Sequence, residues 1–206
     1  MELAALITAF VTMFVVIDPL GITPVFVALT QGMDDRQRRS IGLRACLIGA
    51  GVLTLFGLFG EAVLGFVGIS MPAFRIAGGI LLVLTALDML FERRTKRRGD
   101  QQANADDPSV FPLATPLIAG PGAIATMILL TTQPGTDLVW IIAVHGVMAG
   151  TVALAFLLFL AAGPIERALG ATGINVVTRL LGMLLAALSV QFVLDGIQQA
   201  GFTGAA

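Results

Sequence analysis

Six long apolar runs are the feature of this sequence that most limits its fold. They cover residues 3–29, 41–65, 70–91, 110–132, 138–162 and 174–197. Each is near or above the roughly 20 residues that an α-helix needs to cross the hydrocarbon core of a bilayer. A soluble core of this size could not hide so much apolar surface from water, and backbone polar groups in lipid must be satisfied within each segment. The sequence therefore predicts an all-α membrane protein with six transmembrane helices.

Low charge and sparse reactive side chains exclude several classes of function. Only 12% of the residues are charged and the net charge is −1, which argues against a nucleic-acid partner because that would need a basic patch. The chain has one histidine and one cysteine, too few for a disulfide, a metal-ligand cluster or a nucleophile–histidine–acid set. We therefore expect no enzyme activity, no bound metal and no cofactor.

Lysine and arginine concentrate in alternate connections between the runs. The first connection holds Arg36, Arg38 and Arg39, the third holds Arg93, Arg94, Lys96, Arg97 and Arg98, and the fifth holds Arg167. Cytoplasmic loops of membrane proteins carry this excess. The connections at 30–40 and 92–109 are therefore predicted to be cytoplasmic, with both termini outside, on the periplasmic side of a cell (inner) membrane. The stretch 92–109 is polar without an apolar period, which is typical of a flexible linker.

Three short patterns recur in the same order along the chain. Pro19-Leu20-x-x-x-Pro24 matches Pro116-Leu117-x-x-x-Pro121, Glu61-x-x-Leu64-Gly65 matches Glu166-x-x-Leu169-Gly170, and Arg75-x-x-Gly78 matches Arg179-x-x-Gly182. We therefore predict two three-helix repeats, 1–91 and 110–206, joined by the linker 92–109. Three crossings are an odd number, so the second repeat begins on the opposite side of the membrane. Such inverted-topology repeats are a recurring plan of secondary transporters, although channels and scaffolds also contain them.

Proline and glycine interrupt the first and fourth runs at matching places. Residues 18–24 read Asp-Pro-Leu-Gly-Ile-Thr-Pro, and residues 115–122 read Thr-Pro-Leu-Ile-Ala-Gly-Pro-Gly. Each proline removes a helical hydrogen bond, and the freed groups are costly in lipid unless something uses them. The amides that begin a half-helix suit a carboxylate, whereas freed carbonyls suit an ammonium or a cation. The alternative is that these prolines only kink two helices for packing.

The two breaks are predicted to hold a compact substrate between them. The candidate substrate-binding residues are Asp18, Pro19, Gly21, Thr23, Pro24, Thr115, Pro116, Gly120, Pro121 and Gly122. Asp18 is also the candidate for ion coupling, because an acid within a membrane span is expensive and by default functional. Its alternative role is to cap the half-helix that begins at Pro19.

Other polar residues have both a structural and a functional interpretation. Arg75 and Arg179 occupy matching places in the repeats and either anchor the interface by snorkelling or pair with carboxylates as gates. Thr85 and Ser189 are predicted to hydrogen-bond across helices. His145 favours a helix-packing hydrogen bond over a proton relay, and the adjacent Gly146-x-x-x-Gly150 permits close helix contact.

Four segments resemble the signatures of the MarC family of integral membrane proteins. They are Asp18-Pro-Leu-Gly-Ile-Thr-Pro-Val-Phe26, Phe74-Arg-Ile-Ala-Gly-Gly-Ile-Leu-Leu82, Pro116-Leu-Ile-Ala-Gly-Pro-Gly-Ala-Ile124 and Thr178-Arg-Leu-Leu-Gly-Met-Leu-Leu185. The resemblance implies inverted three-helix repeats with bent first and fourth helices. It also implies uptake of small neutral amino acids such as glycine and alanine, coupled to protons or sodium.

The leading prediction is a secondary transporter that works by alternating access around the breaks. The sequence has no ATP-binding loop of the Walker type, so the energy would come from a gradient of H+ or Na+. The expected partners are a small neutral amino acid, the lipid bilayer and, as an option, further copies of the chain in a homo-oligomer. The alternatives are an exporter of amino acids or other small solutes and a channel or scaffold.

Overall fold

Helices account for all the regular structure in the described part of the chain. The computed structural model describes residues 3–91, 107–132, 135 and 137–201, without the side chains of residues 165–167, 169, 171 and 174. Within these residues the chain forms eight helices and no strand. They are α1 (Leu3–Ile17), α2 (Pro19–Leu29), α3 (Asp35–Val67), α4 (Met71–Leu90), α5 (Ser109–Ile118), α6 (Pro121–Thr131), α7 (Leu138–Leu160) and α8 (Ala162–Gln199).

The helices account for the six predicted crossings. Five stretches are long and apolar enough to cross a membrane: Leu3–Leu29, Asp35–Val67, Met71–Leu90, Leu138–Leu160 and Asn175–Gln199. A sixth crossing is obtained when α5 and α6, which meet at a bend of 52°, are counted as one broken span. The prediction of an all-helical membrane protein is therefore confirmed. Of the predicted linker, residues 92–106 lie outside the described residues.

Two helices extend beyond the apolar runs that predicted them. α3 begins six residues before the run at 41 because Asp34 and Gln37 form a capping box, in which each side chain accepts a hydrogen bond from the other's backbone amide. It ends where Gly68 adopts a left-handed conformation at φ 79°. α8 also starts early and is interrupted at Gly170, at φ 60°. A polar cap therefore determines the start of α3, whereas no side chain caps the start of α8.

Many large apolar side chains face outward, while others, such as Phe26, Met13 and Leu53, are buried in the core. Phe66, Leu3 and Leu138 are 94%, 73% and 70% exposed, as expected of a surface that lipid covers. The central helix is α6, in which nine of eleven residues are buried and which packs against α1, α3, α4 and α7. Around it, α3 packs on α5, α6 and α7, whereas α7 packs on α1, α2 and α3.

An ion pair fixes the start of α5 beside α3. The Asp107 carboxylate accepts hydrogen bonds from the Ser109 hydroxyl at 2.7 Å and the Ser109 amide at 3.0 Å, and it pairs with the Arg44 guanidinium. The hydrogen bonds from Ser109, supported by the charge of Arg44, lower the pKa of Asp107 below its usual value. The end of the connection between α4 and α5 is therefore held against the first turns of α3.

α4 and α8 form the most extensive helix pair, and they lie antiparallel with backbones in near contact. A Cβ placed on Gly79 would come within 2.8 Å of the Ser189 carbonyl oxygen, and one on Gly182 within 3.4 Å of the Ala86 carbonyl oxygen. Small residues allow this approach in membranes, where association depends on packing rather than on the hydrophobic effect. Glycine is therefore required on both sides of the α4–α8 contact.

Adding one methyl group to this contact should destabilise the protein. We expect Gly79→Ala to cost about 1–3 kcal/mol, because its Cβ would lie 2.7 Å from Val193 Cγ2 and would force the helices apart. The matched control is Gly146→Ala, where nothing lies within 4 Å and alanine should stabilise the helix by about 0.5–1 kcal/mol. The unfolding midpoints of both variants in detergent check this, and equal midpoints would contradict the described α4–α8 contact.

Candidate functional site

Asp18 interrupts the first span at a single residue. Its backbone is left-handed, at φ 54° and ψ 61°, and its Oδ1 accepts a hydrogen bond of 3.0 Å from the Gly21 amide, so that it caps α2 at Pro19. The helical bonds on either side continue, from the Asp18 amide to the Phe14 carbonyl and from the Ile22 amide to the Asp18 carbonyl. The side chain is fully buried. The carboxylate is therefore held in place inside the span by its own backbone.

Gly21 makes this placement of the carboxylate possible. A Cβ on Gly21 would lie 2.0 Å from Asp18 Oδ2 and 2.6 Å from Asp18 Cγ. No pair of unbonded heavy atoms tolerates these distances, so any other residue here would push the carboxylate away. Gly21 is therefore needed for the space it leaves to the carboxylate.

The second break is wider and more strongly bent. α5 is wound with π-helical turns and leaves helical geometry at Phe111, Thr115 and Pro116, and the Phe111–Pro112 and Thr115–Pro116 peptide bonds are cis. Gly120 is extended, and no side chain caps α6, which begins at Pro121. Because proline has no amide hydrogen, the amides of the buried residues Gly122 and Ala123 are the free donors of the first turn of α6.

The two breaks lie side by side. A Cβ on Gly122 would come within 3.5 Å of Val16 Cγ1, two residues before Asp18, and within 2.8 Å of Leu82 Cδ2 and 3.7 Å of Thr85 Oγ1. Helices α1, α4 and α6 therefore meet where the first span is interrupted and α6 begins. A buried carboxylate and a helix N-terminus without a side-chain cap are the groups that this meeting point offers.

The predicted site residues divide by burial. Asp18, Pro19, Thr23, Gly120 and Gly122 are buried, Gly21, Pro24 and Thr115 are half-buried, and Pro116 and Pro121 are exposed. The hydroxyl of Thr23 donates to the Pro19 carbonyl at 2.7 Å, and that of Thr115 to the Val110 carbonyl at 3.3 Å. Both threonines thus use their hydroxyls within their own helices, and the buried set around Asp18 and Gly122 forms the centre of the candidate site.

The two candidate gate residues have different surroundings. Arg75 is half-buried on α4, between Met71 and Gly78. The Met71 sulfur accepts a hydrogen bond of 3.5 Å from Thr132, and Gly78 faces Ala125. It therefore lies beside the last turns of α6 and forms no ion pair with any residue that the structure describes. Arg179 is exposed on α8. Their role as gates stays a prediction.

The remaining polar predictions are not borne out as hydrogen bonds across the described helices. Thr85 donates to the Leu81 carbonyl at 3.0 Å and Ser189 to the Ala186 carbonyl at 2.7 Å, each in its own helix. His145 uses Nδ1 on the Ile141 carbonyl of its own helix, at 2.7 Å. Gly146 and Gly150 have nothing within 4 Å and lie on the outer surface, so the prediction of a close helix contact there is wrong within the described chain.

Thr126 is a candidate residue that the sequence pattern did not reveal. It is fully buried in α6, and no described residue is within hydrogen-bond distance of its Oγ1. A buried hydroxyl without a partner costs about 1–3 kcal/mol. In the sequence it is one polar residue within an apolar run. The only available signal was its position four residues after Gly122, on the same helix face.

Comparison with known proteins assigns this chain to a family. The family model described as "MarC family integral membrane protein" matches residues 3–200. The chain belongs to the MarC family. The resemblance predicted from the proline-glycine segments is thereby confirmed, and a MarC protein is an integral, multi-pass membrane protein.

Curated relatives of this MarC chain match it over nearly their whole length. A UPF0056 membrane protein of Archaeoglobus fulgidus is 38% identical over 195 residues, which is 93% of this chain and 91% of that protein. The UPF0056 inner membrane protein YhgN of Escherichia coli K12 is 34% identical over 194 residues, which is 94% of this chain and 96% of that protein. No solved structure matches this chain.

Substitution of Asp18 should separate its capping role from the role of its charge. Asparagine accepts the Gly21 hydrogen bond and tolerates the left-handed backbone, so Asp18→Asn should stay within about 0.5 kcal/mol of the wild type. Asp18→Ala should lose about 2 kcal/mol, because it removes the cap and strains the backbone.

The control for this experiment is an ordinary cap at the edge of the membrane. Asp137 accepts a hydrogen bond of 2.7 Å from the Trp140 amide at the start of α7, with an extended backbone. Asp137→Ala should therefore cost only about 1 kcal/mol. Unfolding midpoints in detergent measure all three variants. If asparagine at position 18 is as damaging as alanine, the charge and not the cap holds this break together.

Proposed function

We propose that this MarC protein is a secondary transporter of small neutral amino acids of the size of glycine or alanine. The observation that carries the proposal is that α6, whose N-terminus no side chain caps, packs at Gly122 against Val16, two residues before the buried carboxylate of Asp18. An amino acid has an ammonium at one end and a carboxylate at the other. Asp18 suits the first group, and the α6 amides suit the second.

The size of the substrate follows from what lines the breaks. Ala119, Gly120 and Gly122 bring backbone rather than side chain to the start of α6, and Leu82 packs against Gly122 from α4. A larger substrate side chain would have to displace these packed groups, which is costly in a close-packed interior. A compact neutral amino acid meets this restriction.

The inverted-repeat architecture is part of the proposal, and reciprocal packing supports it. The second long helix of each half, α3 or α7, packs on the interrupted span of the other half. In the α4–α8 contact, Gly182 follows Gly79 by 103 residues and Ser189 follows Ala86 by 103 residues. This offset of 103 residues between the halves is one less than the offset of 104 between Arg75 and Arg179 in the sequence pattern. By the packing, the counterpart of Arg75 is therefore Thr178.

Coupling to H+ or Na+ and alternating access complete the proposed mechanism. Asp18 is the proposed coupling group, because a carboxylate in the span binds a proton or a sodium ion as well as an ammonium. The two halves would rock around the breaks, with Arg75 and Arg179 as proposed gates. Self-association into a homo-oligomer is compatible with this mechanism and is not required by it.

The proposed orientation places both termini outside and the connections 30–40 and 92–109 in the cytoplasm. Its support is the excess of Arg and Lys in those connections. In a Cys46→Ala background, a cysteine at Gln101 should react with a membrane-impermeant maleimide only after the cells are opened. A cysteine at Gly135, between α6 and α7, should react in intact cells. The opposite labelling pattern would reverse the orientation.

Transport in liposomes tests the function. Purified protein should take up radiolabelled glycine or alanine in a saturable manner when a proton or sodium gradient is imposed. Asp18→Asn, which keeps the cap, should lose most of this uptake, whereas the lipid-facing variant Gly146→Ala should keep it. If no small neutral amino acid is taken up under either gradient, the proposal is wrong.

The same preparation discriminates between the alternatives. An exporter would transport in inside-out vesicles and not in right-side-out vesicles. A channel would give a flux that rises with concentration without saturating.

A further inference from the structure

Thr126 differs from most threonines of the described helices in how it uses its hydroxyl, and it shares its lack of a partner with Thr178 of α8. Eight threonines donate to the carbonyl four residues earlier in the chain: Thr8, Thr12, Thr23, Thr30, Thr85, Thr131, Thr132 and Thr151. The equivalent acceptor for Thr126 is the Gly122 carbonyl, and that bond is not made. The Thr126 hydroxyl therefore has no partner among the described residues, although the side chain is fully buried.

Thr126 lies one helical turn after the start of α6, on the same face as Gly122. Side chains on an α-helix lean toward its N-terminus and cover the preceding turn. The preceding turn is at Gly122, which has no side chain of its own and faces Val16 and Thr85. A donor without a partner is thus one helical turn from the first-turn amides of Gly122 and Ala123, on the face of α6 that Gly122 presents to α1 and α4.

We infer that Thr126 is a substrate-binding residue, whose hydroxyl donates a hydrogen bond to the carboxylate held at the N-terminus of α6. This inference rests on the proposed function and adds to it the residue that recognises one end of the substrate. The α6 amides and the Thr126 hydroxyl are all donors, which suits an acceptor with several lone pairs. The positive end of the α6 dipole favours a negative charge at the same place.

The test compares two probes that differ only at this end. Glycine has a carboxylate, and glycinamide has a neutral amide with the same ammonium. Both are titrated against detergent-purified protein, and the shift of the unfolding temperature gives each dissociation constant through linkage. Variants Thr126→Val, which keeps the shape and removes the hydroxyl, and Thr126→Ser, which keeps the hydroxyl, are measured beside the wild type.

The expected result is a loss of affinity for glycine alone, and only in Thr126→Val. Thr126→Val should bind glycine roughly ten- to hundredfold more weakly, the usual effect of deleting a hydrogen bond to a charged group. Its affinity for glycinamide should change far less, and Thr126→Ser should stay near the wild type for both. The control Thr131→Val removes a hydroxyl of the same helix that donates to the Met127 carbonyl and should leave both affinities unchanged.

The unfolding temperature without ligand provides an independent readout. Since the Thr126 hydroxyl has no internal partner, Thr126→Val should be at least as stable as the wild type when no probe is present. A lower unfolding temperature would mean that the hydroxyl is structural and would overturn the inference.

The remaining outcomes separate this inference from the proposed function. Wild-type binding of glycine that Thr126→Val leaves unchanged overturns the role of Thr126 and leaves the transporter proposal standing. If neither glycine nor alanine stabilises the wild type, the transporter proposal fails and the assignment of Thr126 fails with it.

Discussion

Every backbone amide and carbonyl inside a bilayer must find a partner, because water is absent and an unpaired group costs several kcal/mol. This constraint explains why the described chain is helical. It also explains the compensating bonds found at both breaks. Asp18 supplies an acceptor for the Gly21 amide, and the Ala119 amide reaches back to the Ala114 carbonyl at 2.8 Å. The first-turn amides of α6 are the exception, so the candidate site is centred there.

The two breaks show how far local sequence determines geometry. Both contain proline and glycine, yet Leu3–Leu29 remains one apolar stretch whereas α5 and α6 meet at 52°. In the first break one side chain both interrupts and caps the helix, so helical bonding resumes at once. The second break lacks such a side chain and has prolines on both sides, at Pro116 and Pro121. The number of prolines was visible in the sequence, but the size of each bend depended on the capping bond.

The crossings and the location of the breaks were predictable, since length and hydropathy determine the first and proline chemistry the second. The identity of the interior polar groups was not. Thr23 and Thr126 both lie in apolar surroundings in the sequence, and a helical period of 3.6 residues does not reveal which neighbouring helix either one faces. The first is satisfied by the Pro19 carbonyl, and the second has no partner among the described residues. Only packing distinguishes them, and for the same reason the predicted contact at Gly146 and Gly150 was wrong.

The close contact of α4 with α8 has a consequence for how the protein is made. Gly182 of α8 lies 103 residues after Gly79 of α4 in the chain. At translation rates of about 5–20 residues per second, the glycine face of α4 waits roughly 5–20 s in the membrane before α8 emerges. During that interval lipid or the insertion machinery must cover a surface shaped for another backbone. Assembly of this fold is therefore completed late, by the helix that is synthesised after the other seven described helices.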